Sequence, residues 1–212
     1  MTEQEKRELI IATGIRMLEE NLVQGTWGNI SMRLDDTHML CTPSGLDYKD
    51  LTPADIPVVD INTLEWTDGK KPTSERKLHA AIYRERPNVT AVLHSHPLNC
   101  SVIACAKEIV PVMSDEMREL VGGSIKTAEY GIPGTKTMAN NTMIALQDRN
   151  GALLAHHGAV SCGVDMETAF NTLKCMENSS REYIVKSAME ELGETTETKD
   201  VTKRLFLKKI NG

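Results

Sequence analysis

Val89-Thr90-Ala91-Val92-Leu93-His94-Ser95-His96-Pro97 is the stretch that decides how this chain is read. The apolar run from Val89 to Leu93 predicts a strand. Strand residues two apart share a face, so His94 and His96 can offer both imidazoles to one ion. Pro97 has no N–H for a sheet ladder and ends the strand. A second histidine element, His156-His157-Gly158, follows a predicted strand from Ala152 to Ala155. Two such pairs after apolar runs fit a divalent metal site better than solvated polar residues. Three protein ligands with one open position is the pattern of catalytic zinc.

The bulk properties limit what surrounds this site. At 212 residues the chain suits one domain with a tail, here taken as residues 1–190 and 191–212. A net charge of −6 and the lack of a basic cluster interleaved with aromatics argue against nucleic acid as a partner. Met1-Thr2-Glu3-Gln4-Glu5 is too polar for a signal peptide, and no apolar run approaches membrane-spanning length. Five cysteines without a C-x-x-C suit a reduced chain, so a cytoplasmic location is expected.

Outward from the histidines, a helical stripe covers Thr2 to Leu22, with Thr2 and Glu5 spaced as a capping box. Gln24 to Leu34 contains two glycines and Asn29 at the start of a strand, which reads equally as an anion seat or a plain turn. Met39 to Thr42 and Ile56 to Ile61 are further strands. Lys71 to Arg76 opens a helix running to about Arg86, with Thr73 and Ser74 as capping types and Glu75 in the first turn. Free N–H groups and two hydroxyls there can also hold a phosphate. His38 is taken as solvated, and His79 as a helix-surface residue without an assigned role. Helices are expected over Leu98–Ala106, Met113–Val121, Lys136–Gln147 and Asp165 to about Glu190, and a strand over Ser124–Glu129. Val201 to Ile210 reads as a short helix or an arm.

These motifs, in this order, resemble the class II aldolase/adducin family, and within it the fuculose-phosphate aldolase-like enzymes. The resemblance spans about residues 5 to 190. It rests on Gln24-Gly25-Thr26-Trp27-Gly28-Asn29-Ile30-Ser31, Thr42-Pro43-Ser44-Gly45, Pro72-Thr73-Ser74-Glu75, His94-Ser95-His96, Gly134-Thr135 and His156-His157-Gly158. The resemblance implies a three-layer α/β/α fold on a mostly antiparallel sheet of at most nine strands, and a four-fold homotetramer. It implies one zinc ion per subunit on His94, His96 and His157. Strand alternation would turn His156 and His157 apart, and the resemblance picks His157. Glu75 matches the acid/base glutamate. Asn29, Ser44, Gly45, Thr73 and Ser74 match the cradle for the phosphate of a small phosphorylated sugar. The implied reaction is cleavage of a ketose 1-phosphate to dihydroxyacetone phosphate and an aldehyde, with zinc polarising the carbonyl.

The chain also departs from the family's pattern. Ser114 to Val121, before Gly122-Gly123, has no tyrosine where the aldolases carry a proton donor, and the tail offers Phe206 and no tyrosine. Asp115 or Glu116 is the candidate replacement on the aldehyde side; both otherwise read as solvated. Other ketose 1-phosphates, deoxyribulose or methylthioribulose phosphate, therefore stand beside fuculose 1-phosphate. A zinc-dependent epimerase, dehydratase or decarboxylase on the same frame is the alternative enzyme. An adducin-like binding module is the alternative of another class.

Overall fold

The computed structural model describes residues 1–191. The predicted Val201–Ile210 segment, Phe206 and most of the 191–212 tail lie outside the described residues. Helix α1, Glu3–Glu19, begins with the expected capping box: Thr2 accepts from Glu5 N–H while the Glu5 carboxylate accepts from Thr2 N–H. Strands β1 (Asn29–Arg33), β2 (His38–Cys41), β3 (Val58–Asp60) and β4 (Trp66–Thr67) follow. Then come α2 (Arg76–Glu85), β5 (Ala91–Ser95), α3 (Leu98–Ala106), α4 (Asp115–Leu120) and β6 (Thr127–Ala128). The described chain closes with α5 (Lys136–Leu146), β7 (Gly151–Leu154), β8 (Gly158–Gly163) and α6 (Met166–Glu191).

The eight strands form one sheet in the order β4-β3-β2-β1-β5-β8-β7-β6. All neighbours are antiparallel except β6 and β7. The three-layer α/β/α arrangement follows from side-chain alternation. Ala91 and Leu93 of β5 join Ile30, Leu40 and Leu153 under α1, α3, α4 and α6. Val92 joins Met39, Cys41, Ala152 and Val160 under α2 and α5. Both faces of the central strands are thus dry, which is why they read as unbroken apolar runs.

Several boundaries differ from the sequence reading. The 56–61 strand shortens to Val58–Asp60, because a one-turn 3₁₀ segment, Pro53–Asp55, precedes it. Its partner Trp66–Thr67 was not expected, being two residues long with both exposed. The 124–129 strand is Thr127–Ala128 alone, since Ile125 bridges instead to Val110. Helix α2 starts one position later than expected, with Glu75 itself at the cap rather than in the first turn. None of the described helices is long and apolar enough to cross a membrane.

Candidate active site

Three backbone devices bring the histidines together. His94 is in β5 and His96 lies just past its end, so both imidazoles emerge on the α2 side, with their Nε2 atoms 3.1 Å apart. His157 comes from the β7–β8 hairpin. His156 and His157 are not a strand pair: they form the turn itself, His156 in the left-handed region at φ 55°. The expected divergence of the two therefore arises from the turn and not from strand alternation. His156 is exposed beside Tyr130, while His157 points inward. Gly158 is required here, since a Cβ at that position would lie 2.5 Å from His96 Cδ2 and 2.5 Å from the Ser95 carbonyl.

The ligand atoms of His94, His96 and His157 all lie within 4.8 Å of one another. His94 Nδ1 donates to the Ala159 carbonyl at 2.9 Å, and so in neutral His94 the Nε2 lone pair is bare. Burial pushes the His94 imidazole down to about 4, so it is neutral at pH 7. Its Nε2 nevertheless faces His96 Nε2 at 3.1 Å and the Glu75 carboxylate at 3.1 Å. A bare His94 nitrogen, a second imidazole nitrogen and a carboxylate converging on one point suit a cation between them. This donor set fits a divalent ion of the imidazole-preferring kind. Cysteine plays no part in the cluster.

Glu75 stands at the N-terminus of α2, almost fully buried, and Thr73 Oγ1 accepts its backbone N–H at 3.2 Å. Oε2 accepts a hydrogen bond from Asn29 Nδ2 at 2.7 Å, and Oε1 lies 3.3 Å from His157 Nε2. Burial works to raise its carboxyl. The His94 imidazole, the Asn29 amide and His157 outweigh that, and hold it below the ordinary glutamate value.

Asn29, Ser44, Gly45, Thr73, Ser74, Glu75, His96 and His157 line one cavity of about 200 Å³. His94 sits behind it, fully buried. The cavity floor is the start of α2; Trp27 and Pro133 stand at its rim. Gly134, at φ 75°, lets that rim loop pack against Ser74, whose carbonyl would be 2.8 Å from an added Cβ. Above Gly45 there is open space for a bound group. A roomier groove between α1 and α6, lined by Leu9, Met32 and Phe170, contains none of these residues.

Asp115 and Glu116 are not brought to this cavity within the chain. Both are exposed on α4, in the other helical layer, where Asp115 pairs with Arg118. His79, read from sequence as a surface residue, is fully buried and touches Asn29. Its spacing of four from Glu75 was the available signal, since helix residues four apart share a face.

A fold of this layering with three converging histidines and a buried glutamate defines a metal-dependent α/β enzyme. Residues 8–184 match the Class II Aldolase and Adducin N-terminal domain, and the chain belongs to that family. L-fuculose phosphate aldolase of Escherichia coli (strain K12) is 37% identical over 160 residues, covering 76% of this chain and 74% of that protein. The 5-methylthioribulose-1-phosphate/5-deoxyribulose-1-phosphate aldolase of Rhodospirillum rubrum is 35% identical over 162 residues, covering 76% of this chain and 72% of that one. A solved L-fuculose 1-phosphate aldolase superposes with a TM-score of 0.82 at 30% identity, over 98% of this chain and 97% of its own. Within the family the chain is a fuculose-phosphate-aldolase-like class II aldolase, a carbon–carbon lyase.

Proposed function

We propose that this protein is a zinc-dependent aldolase that cleaves a small ketose 1-phosphate to dihydroxyacetone phosphate and an aldehyde. The observation that carries this reading is one cavity in which His96, His157, Glu75 and a row of hydroxyl and backbone donors meet, with His94 directly behind it. His94, His96 and His157 are the residues that would hold the ion, which when bound supplies Lewis-acid polarisation of the substrate carbonyl.

The chain's own groups then divide the work. Ser44, Thr73 and Ser74, with the N–H groups at the start of α2, take the phosphate, since a helix N-terminus favours an anion. That anchor places the carbon next to the carbonyl beside Glu75. Glu75 is ionised and buried, so it takes the proton in the condensation direction and returns it in cleavage. The half of the site that handles dihydroxyacetone phosphate is complete in this chain. The aldehyde half lacks an acid within the described residues of one chain. That fits a homotetramer in which a second copy closes the rim at Trp27 and Pro133. The whole of residues 1–190 acts as one catalytic domain.

The test is a panel of ketose 1-phosphates offered to zinc-loaded protein: fuculose, 5-deoxyribulose and 5-methylthioribulose 1-phosphates. Release of dihydroxyacetone phosphate is followed with a coupled reductase. One member is expected to be cleaved, and Glu75→Gln should lower that rate by about a hundredfold to ten-thousandfold while retaining zinc. No release from any member, with zinc present, would discard the aldolase reading in favour of epimerase, dehydratase or decarboxylase chemistry.

A further inference from the structure

Behind Glu75 runs a line of buried polar side chains that the reaction above does not use. Asn29 Oδ1 lies 2.5 Å from His79 Nε2. His79 Nδ1 lies 2.7 Å from Ser31 Oγ, and Ser31 Oγ lies 2.9 Å from the Tyr83 hydroxyl. Asn29, Ser31, His79 and Tyr83 are all buried. The line exists because two periodicities mesh. Asn29 and Ser31 are two apart on β1 and share a sheet face. Glu75, His79 and Tyr83 are four apart on α2 and share a helix face. Strand and helix residues then alternate along the contact.

The hydrogens in this line can run only one way. Asn29 Nδ2 donates to Glu75 Oε2, so the Asn29 carbonyl faces His79. The Asn29 carbonyl accepts only, so His79 Nε2 carries the hydrogen. Burial lowers the His79 imidazole to about 3, so the ring is neutral and Nδ1 is a bare acceptor. Ser31 then donates to His79, and Tyr83 donates to Ser31. Burial raises the Tyr83 phenol, so its hydrogen stays in place. Every donor in the line points toward Glu75, and such chains strengthen the bonds they contain.

We propose that His79 is a positioning residue for the aldolase reaction. It holds the Asn29 carbonyl so that the Asn29 N–H₂ fixes Glu75 Oε2, leaving Oε1, which has no hydrogen-bond donor of its own, as the oxygen that exchanges the proton. Asn29 thereby serves the carboxylate while lining the cavity of the expected phosphate cradle. The inference rests on Glu75 being the acid/base group. A satisfied core histidine would stabilise the fold and leave the chemistry untouched; here the far end of its bond is the reactive carboxylate.

The experiment has two arms on zinc-loaded protein. Nitrogen-15 spectra of histidine-labelled protein should show His79 neutral with Nε2 protonated and Nδ1 bare, and Ser31→Ala should shift the Nδ1 signal. In the second arm, deuterium exchange into dihydroxyacetone phosphate isolates the proton step of Glu75. His79→Leu should slow exchange and cleavage by about tenfold to a hundredfold, with KM within about twofold and zinc content unchanged. His79→Gln, which offers an N–H at the Nε2 position, should recover part of that loss. An Nδ1-protonated ring overturns the proposal. So does His79→Leu raising KM at unchanged kcat, which would show that His79 acts on substrate binding and not on Glu75, or rate and zinc content falling together. Absence of exchange in the unmodified protein would instead overturn the aldolase reading, and the ring tautomer then decides the hydrogen-bond line by itself.

Discussion

Strands β1 and β5 carry the site and the scaffold back to back. Asn29 pairs with His94, and the very next pair is Ile30 with Leu93. The first pair faces α2 and belongs to the buried polar line and the histidine cluster. The second faces α1, α3 and α6 and belongs to a core without ionised groups at that point. One residue of register separates the chemistry from the stability. The difference teaches that the polar face is held open by the apolar face: a residue slip would exchange the two sets wholesale.

That separation can be broken from either side. The largest effect is expected on the polar face. His157→Ala removes one of three imidazoles, and the protein should no longer retain zinc through dialysis, with ketose-phosphate cleavage at background. Because His157 is partly exposed, its loss should shift the metal-free protein's urea midpoint little. Equal destabilisation there and in the core would refute the division of labour. On the apolar face, Leu93→Ala should cost about 3 kcal/mol by urea denaturation, since Leu93 is fully buried and its cavity cannot fill. At temperatures where it stays folded it should bind zinc normally. Loss of zinc binding in the folded Leu93→Ala protein would show that the two faces are not independent.

The smallest effect sits on neither face and serves as a control. Thr52 N–H and hydroxyl, with Lys70, hold the Asp55 carboxyl down at about 2 from its ordinary 3.8. A depressed folded value means the stabilisation is present above the ordinary value and lost as pH falls from about 4 toward 2. Asp55→Asn should therefore be less stable by about 1 kcal/mol at neutral pH, after solvent screening, and the gap should close in acid. A gap that stays constant with pH would mean that Asp55 acts through packing and not through charge.

How much of this was legible depends on the range of the interaction. His94 and His96 were readable because strand geometry acts over two residues, and Pro97 marks the end of the segment. The α1 capping box and the Asp165 cap of α6, which accepts from Thr168 N–H, were readable for the same reason. His157 and not His156 turns inward, but strand alternation is not the reason, since the three-residue turn Ala155-His156-His157 separates β7 from β8. Glu75 falls at the cap and not in the first turn because the helix begins at Arg76, with the Glu75 carbonyl accepting the Leu78 N–H. The burial of His79 was not legible because its neighbours Asn29 and Ser31 lie 50 and 48 residues away in sequence.

The sequence by itself determined most of the helices and strands and the histidine pairs, since apolar periodicity and local spacing act within single segments, and its ordered motifs carried the family resemblance that implied the layered fold. Only the tertiary structure decided which atoms of those residues face one another. It joined the β7–β8 turn to the end of β5, meshed β1 with α2, and kept Asp115 and Glu116 in the opposite layer. The physical reason is that hydrogen-bond polarity and metal-ligand convergence depend on distances of about 3 Å between segments tens of residues apart. Such distances exist only once both faces of the sheet are packed.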